Sequence, residues 1–228
     1  MTRTDSPLVT CTDVSKSYAD GKQRVAAISD LSVQVFGGKV TALVGPSGSG
    51  KTTLLHLIGG VEHADSGTII AAGSRLDALS RSELTEFRAA HVSFIFADLN
   101  LLPVLSAYEN ITLGIELLRL PEPEKHRRTM AALELVGLSD RAHSRPADLS
   151  SGERQRVAVA RALAREATLV IADEPTAHLD HDLALQVTCL LKDLATTLGS
   201  CVLIATHDSA VAAEADRVIR LEDGRAVS

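Results

Sequence analysis

The run Gly45-Pro46-Ser47-Gly48-Ser49-Gly50-Lys51-Thr52-Thr53 holds the residue types that bind phosphate. It fits the spacing G-x-x-x-x-G-K-[ST], follows the apolar segment Val40–Val44 and opens a helical pattern carrying Leu54, Leu55 and Ile58. Glycines let backbone N–H groups close on phosphate oxygens without a Cβ in the way. The start of the following helix adds partial positive charge. Lys51 supplies a point charge for the β- and γ-phosphates, and the Thr52 hydroxyl is placed to ligate Mg²⁺. A second candidate is the apolar run Leu169-Val170-Ile171-Ala172, which ends in Asp173 and Glu174. At the carboxyl end of a parallel strand, Asp173 would hold Mg²⁺ and Glu174 would act as general base on an attacking water. Alone this is a common strand end. With the phosphate loop 122 residues earlier it becomes one half of a nucleotide site.

A third candidate is Leu149-Ser150-Ser151-Gly152-Glu153, directly before a helical run. Ser150 with Glu153 three residues later fits a capping box. Small residues at a free helix start also fit an anion site. Both readings stay open on local grounds.

These residues need a scaffold. Apolar runs at Val40–Val44, Val92–Phe96, Leu169–Ala172 and Val202–Ala205 read as buried strands. Helical patterns fall at Thr52–Gly60, Arg127–Leu138, Glu153–Arg165 and Leu183–Leu198. Strands alternating with helices predict an α/β fold with a mainly parallel sheet. Within residues 1–75, Leu8–Val14, Ala27–Val35 and Thr68–Ile70 read as short strands joined by turns such as Ala19-Asp20-Gly21-Lys22, making a small antiparallel sheet. Residues 98–150, punctuated by Pro103, Pro121, Pro123 and Pro146, carry helices and no convincing strand; they read as a helical insertion. Residues 151–228 complete the core of a single 1–228 domain.

Composition excludes several functions. At 228 residues the chain buries a sizeable core, and 45% hydrophobic with 23% charged residues fits a globular protein. No apolar run is long enough to span a membrane, and the first residues lack the apolar stretch of a secretory signal. Cys11, Cys189 and Cys201, odd in number and far apart, fit neither a disulfide framework nor a zinc site, which points to a reducing cytoplasm. A net charge of −6, 3% aromatic content and no Trp disfavour direct nucleic-acid binding.

With the phosphate loop, Ser150–Glu153, Asp173–Glu174, Pro175-Thr176-Ala177-His178-Leu179-Asp180 and Ala205-Thr206-His207-Asp208 in view, the chain resembles the ATP-binding subunit of an ABC transporter over nearly its whole length. Gly45–Gly60, Asn100–Ile111 and Ser150–Leu163 most resemble the lipoprotein-releasing, macrolide-export and cell-division ATPases. The resemblance implies a P-loop NTPase (RecA-like) core and an ATPase using ATP and Mg²⁺. It assigns Glu174, His207 and Lys51 to catalysis and Thr52 and Asp173 to the metal. Gly45, Ser47, Gly48, Ser49, Gly50, Lys51, Thr52 and Thr53 would hold the phosphates, and Tyr18 would stack on adenine. Two copies would close head to tail around two ATP. Ser150, Ser151, Gly152 and Glu153 of one would face the nucleotide of the other, and Asp180 would meet the opposite subunit. Association would be weak without ATP. An integral-membrane permease would be the partner, with the chain peripheral on the cytoplasmic face of the membrane and apolar residues around Asp98–Glu109 at the coupling surface.

Three positions depart from the family pattern. Ala97 stands where a Gln that can reach Mg²⁺ and the attacking water is usual; Ser151 replaces the commonest Gly; Glu153 replaces a frequent Gln. Ala97 opens an alternative, a nucleotide-gated binding subunit with little intrinsic hydrolysis. A chromosome-maintenance ATPase would need a long coiled coil between Lys51 and Asp173, and a two-headed translation factor would need a second phosphate loop; the sequence has neither.

Overall fold

The computed structural model describes residues 6–21, 23–177 and 179–227. The start of the chain, Lys22 in the expected turn and His178 lie outside the described residues.

The apolar runs form the expected parallel core. Strands β3 (Lys39–Val44), β6 (Val92–Ile95), β7 (Leu169–Asp173), β8 (Cys201–Ala205), β9 (Arg217–Glu222) and β10 (Arg225–Val227) make a six-stranded sheet in the order β10-β9-β3-β8-β7-β6. All its pairings are parallel except the terminal β9–β10 hairpin.

Side chains alternate between the two faces, as a pleated strand requires. Val170, Ala172, Val202 and Ile204 point to one face. There they meet helices α3 (Ala107–Ile115), α4 (Glu122–Leu135), α5 (Ser151–Arg165) and α6 (His181–Leu198). Leu169, Ile171, Cys201, Leu203 and Ala205 point to the other face. That face packs on α1 (Lys51–Ile58), α2 (Arg81–His91) and a second, antiparallel sheet, β2-β1-β4-β5. Helix α1 drives Leu54, Leu55, Leu57 and Ile58 into this layer, each at 1% exposure or less. At roughly 1.5–3 kcal/mol per fully buried aliphatic side chain, that anchors the helix whose first turn carries Lys51 and Thr52.

Several expectations need correction. The strands of the antiparallel sheet are not all short. β1 (Pro7–Asp20) and β2 (Gln23–Phe36) each run 14 residues and are paired along most of their length; β4 (Ser66–Ala71) and β5 (Ser74–Arg75) complete the sheet. Register shifts between Cys11 and Ser17, with Asp13 and Asp30 at positive φ, break the apolar alternation that would have shown their length. Helix α4 starts at Glu122, not Arg127, because Pro123 suits a first helical turn, where no N–H partner is needed. It ends at Leu135, and Gly137 follows at φ +67°. Helix α2, the short helix α7 (Ser209–Glu214), β9 and β10 were not expected at all. Cys11 and Cys201 are buried free thiols, with burial pushing each pKa up to about 12, and Cys189 is free and exposed. No described helix is long and apolar enough to cross a membrane.

Leu203 lies at 0% exposure in β8, between β3 and β7. Replacement by Ala should cost about 2–5 kcal/mol. The check is a urea melt with a lowered midpoint and an unchanged slope.

Candidate functional site: a phosphate loop at the ends of the parallel strands

Strand register brings the candidate residues together. Leu43, Ala205 and Asp173 sit in one row across β3, β8 and β7. Ala42, Ile204, Ala172 and Ile95 form the row behind it. The segments leaving these strands therefore emerge side by side, where parallel sheets place their ligands. They line a cleft of ≈ 560 Å³. Its walls hold Gly45, Ser47, Gly48, Gly50, Lys51, Thr52 and Thr53 from the loop, Asp173 and Glu174 after β7, His207 after β8, and Tyr18 from β1. Pro46, Ala27 and Ala97 line it as well.

The loop's path is fixed by close approaches. Gly50, the N-cap of α1, has φ +99°, and a Cβ there would run into the carbonyl oxygen of Ala27. A Cβ on Gly45 would strike the carbonyl oxygen of Leu221. The first turn of α1 contains no acidic residue of its own, so its positive end is open to the groups that line the cleft. Lys51 Nζ donates to the carbonyls of Gly45 (2.8 Å) and Pro46 (3.0 Å), which holds the ammonium over the loop. Ser49 is buried and its side chain does not line the cleft; its Oγ has no hydrogen-bond partner among the described residues.

Two polar pairs line the cleft. Thr52 Oγ1 donates to Asp173 Oδ2 at 2.7 Å. A hydroxyl and a carboxylate oxygen at this spacing are hard donors of the kind Mg²⁺ takes, with the remaining positions left to water and phosphate. No group of three or more His, Cys, Asp or Glu able to hold a metal occurs among the described residues. The second pair is Glu174 Oε1 and His207 Nδ1, 2.9 Å apart. The hydrogen bond to Glu174, and then its negative charge, raise the His207 pKa above the ordinary 6.5.

Tyr18 is 38% exposed, and its hydroxyl donates to Glu62 Oε2 at 2.7 Å. Glu62 was not anticipated; no motif marks it.

Ala97 and its neighbour differ. Ala97 is exposed and lines the cleft, whereas Asp98 is exposed but outside it. The turn that follows, with Leu99 and Asn100 at positive φ, is held by Arg161 of α5, which donates to both carbonyls at 2.6 and 2.7 Å.

Ser150, Ser151, Gly152, Glu153 and Asp180 do not line this cleft. Ser150 caps α5 in a full capping box: its Oγ accepts from Glu153 N at 3.2 Å, and its N donates to Glu153 Oε2 at 2.8 Å. These bonds lower the Glu153 pKa. Asp180 caps α6, accepting from Leu183 N at 2.9 Å. The local capping readings of Ser150 and Asp180 are thus realised, and the outer faces of Ser150 and Ser151 stay exposed.

A family model described as "ABC transporter" matches residues 28–177. The chain is 40% identical over 223 residues to the lipoprotein-releasing system ATP-binding protein LolD of Pseudomonas syringae pv. tomato, covering 98% of each. It is 39% identical to the macrolide export ATP-binding/permease protein MacB of Burkholderia pseudomallei over 97% of this chain and 34% of that protein. Among solved structures, the ATP-binding cassette MJ0796, in a dimeric post-hydrolysis state bound to ADP and Pi, superposes with TM-score 0.91. The identity is 34%, covering 96% of this chain and 97% of that one. The chain belongs to the ABC transporter family and is an ATPase subunit of that class.

The raised His207 pKa makes its contribution to stability depend on pH. Because the folded His207 pKa is raised, the stability its charged form contributes is complete below pH 6.5 and fades as pH climbs through the raised value. NMR titration should find a His207 midpoint above 6.5, and Glu174→Gln should bring it back down.

Proposed function

We propose that this chain is the motor subunit of a membrane complex, closing as a head-to-tail pair around two ATP and driving a permease by their hydrolysis. One observation carries the reading. Lys51, the Thr52–Asp173 pair and the Glu174–His207 pair converge in one cleft at the carboxyl ends of three parallel strands.

The roles follow from the chemistry. Loop N–H groups from Gly45 to Thr53 and Lys51 Nζ bind the β- and γ-phosphate oxygens. To reach them, Lys51 exchanges its two carbonyl partners for phosphate. Thr52 and Asp173 hold Mg²⁺, which when bound offsets phosphate charge. Glu174 accepts the proton of the water that attacks the γ-phosphorus. His207 keeps the Glu174 carboxylate oriented and presents its other ring nitrogen to the γ-phosphate. Tyr18, held by Glu62, stacks on the base.

Ser150–Gly152 cannot serve the cleft of their own chain, since they do not line it. A second copy supplies that role, with Asp180 at the junction, in line with the dimeric relative. The helical region supplies the permease contact. The structure sorts its apolar residues: Leu101 and Tyr108 pack into the core, while Leu102 (45% exposed) and Val104 (72%) face outward. In the complex the chain sits on the cytoplasmic face of the membrane. The LolD relatives favour release of a lipid-linked cargo, and the permease selects it.

Phosphate release from Mg²⁺-ATP tests the reading. The parent chain should turn over, and Glu174→Gln should lower the rate by about 10²–10⁴, the usual contribution of a general base. Ala97→Gln should change it little. A silent parent with turnover restored by Ala97→Gln would instead show a nucleotide-gated binding subunit. In sedimentation, Glu174→Gln should be a monomer alone and a dimer with ATP; a tight dimer without ATP would contradict the ATP-dependent pairing.

A further inference from the structure

Gln155 lies one turn into α5 and is fully buried. Its Nε2 donates to the carbonyl oxygen of Pro175 at 2.5 Å. A carbonyl only accepts, so the amide nitrogen must face it; the flipped amide would oppose two acceptors. The carboxamide's other end, Oε1, is buried without a hydrogen-bond partner among the described residues. An unpaired buried acceptor is unfavourable, and packing alone would be served better by an apolar side chain of equal length. What the glutamine adds is the donated bond.

That bond lands next to the reacting groups. Pro175 follows Glu174, whose backbone is left-handed at φ +49°. A non-glycine residue keeps such a conformation only where its surroundings hold it. Glu174 N donates to Ala205 O at 2.9 Å, Ala177 N donates to Glu174 O at 3.3 Å, and Gln155 grips the next carbonyl. The helix making this last bond begins at Ser150–Gly152, outside the cleft.

We propose that Gln155 is a positioning residue: through the Pro175 carbonyl it sets the Glu174 carboxylate against His207, and it makes that position answer to the Ser150 end of α5. The inference rests on the hydrolytic reading above and deepens it. A nucleotide held by a second copy, on touching Ser150–Gly152, acts on this chain's own general base through one turn of helix and one hydrogen bond.

Two variants separate this from simple packing. Gln155→Met keeps length and volume without the donor. It should melt like the parent and keep the KM for Mg²⁺-ATP, while kcat falls at least about ten-fold, as misplacing a catalytic group does. Amide hydrogen exchange across residues 174–177 should quicken. Gln155→Glu keeps the shape and sets a carboxylate against the carbonyl; once protonated it can donate again. Its rate relative to the parent, compared at each pH, should recover as pH falls. Parent-like kcat in a folded Gln155→Met overturns the proposal, as does a loss of kcat that only tracks a lower Tm and a higher KM. Should Gln155→Met fail to fold, a flat relative pH profile for Gln155→Glu overturns it. A parent without turnover sinks the hydrolytic reading instead; exchange at 174–177 then decides, since unchanged exchange in Gln155→Met, or in Gln155→Glu if the former does not fold, refutes the tie and faster exchange supports it.

Discussion

The row formed by Leu43, Ala205 and Asp173 across β3, β8 and β7 is the constraint from which the site follows. A one-residue slip of β7 would turn Asp173 to the other face of the sheet and push Val170 and Ala172 into the layer now filled by Leu169 and Ile171. Burial on both faces prevents it, because every residue of β7 up to Ala172 is at 1% exposure or less. The polar ends inherit that precision. Thr206 N bonds to Leu43 O and Glu174 N to Ala205 O, so the ladder carries on past the strands into the first residues of the loops. The spacings of 2.7 Å at Thr52–Asp173 and 2.9 Å at Glu174–His207 are products of the apolar core.

Helix α5 is the second organising element, and it works by donating hydrogen bonds to backbone carbonyls of the elements around it. Arg154 donates to Leu149 and Pro146, Arg156 to Val136, Arg161 to Leu99 and Asn100, and Arg165 to Gly114, Arg88 and Ala89. Helix ends leave carbonyls unsatisfied, and here one helix answers several. Burial lowers the pKa of Arg161 and Arg165 from a value so high that both stay charged, which strengthens the bonds they donate. The helical region and the sheet thus share one strut, and it begins at the exposed Ser150 and Ser151.

The parallel core and most of the cleft were legible because both are written in short range. A short apolar run that leads into a glycine-rich phosphate loop, joined with a second that ends in paired carboxylates, admits few structures. The long hairpin was not legible, since half-exposed strands with bulges lose the alternation that marks them. Helices α2 and α3 did carry a signal. Ser80 with Glu83 and Ser106 with Glu109 form the same capping box as Ser150 with Glu153. The same four-residue spacing, applied three times, would have placed all three helix starts. Gln155 and Glu62 could not be found this way, because each acts on a partner that only the tertiary fold brings near.

The Ala97 departure reads differently once the loop's supports are known. Leu99 and Asn100 are held by Arg161, and the stretch beyond them is held by Asn110. Asn110 is 1% exposed; it accepts from Leu102 N and donates to the carbonyls of Leu102, Leu105 and Ser106. None of these bonds involves residue 97. A side chain there is free to reach into the cleft or not, without changing where the loop runs. The alanine therefore leaves the bonds that fix residues 99–106 untouched, since Arg161 and Asn110 make them. The loop is fixed by backbone carbonyls and the side-chain donors that reach them, so its course does not depend on which side chain stands at 97.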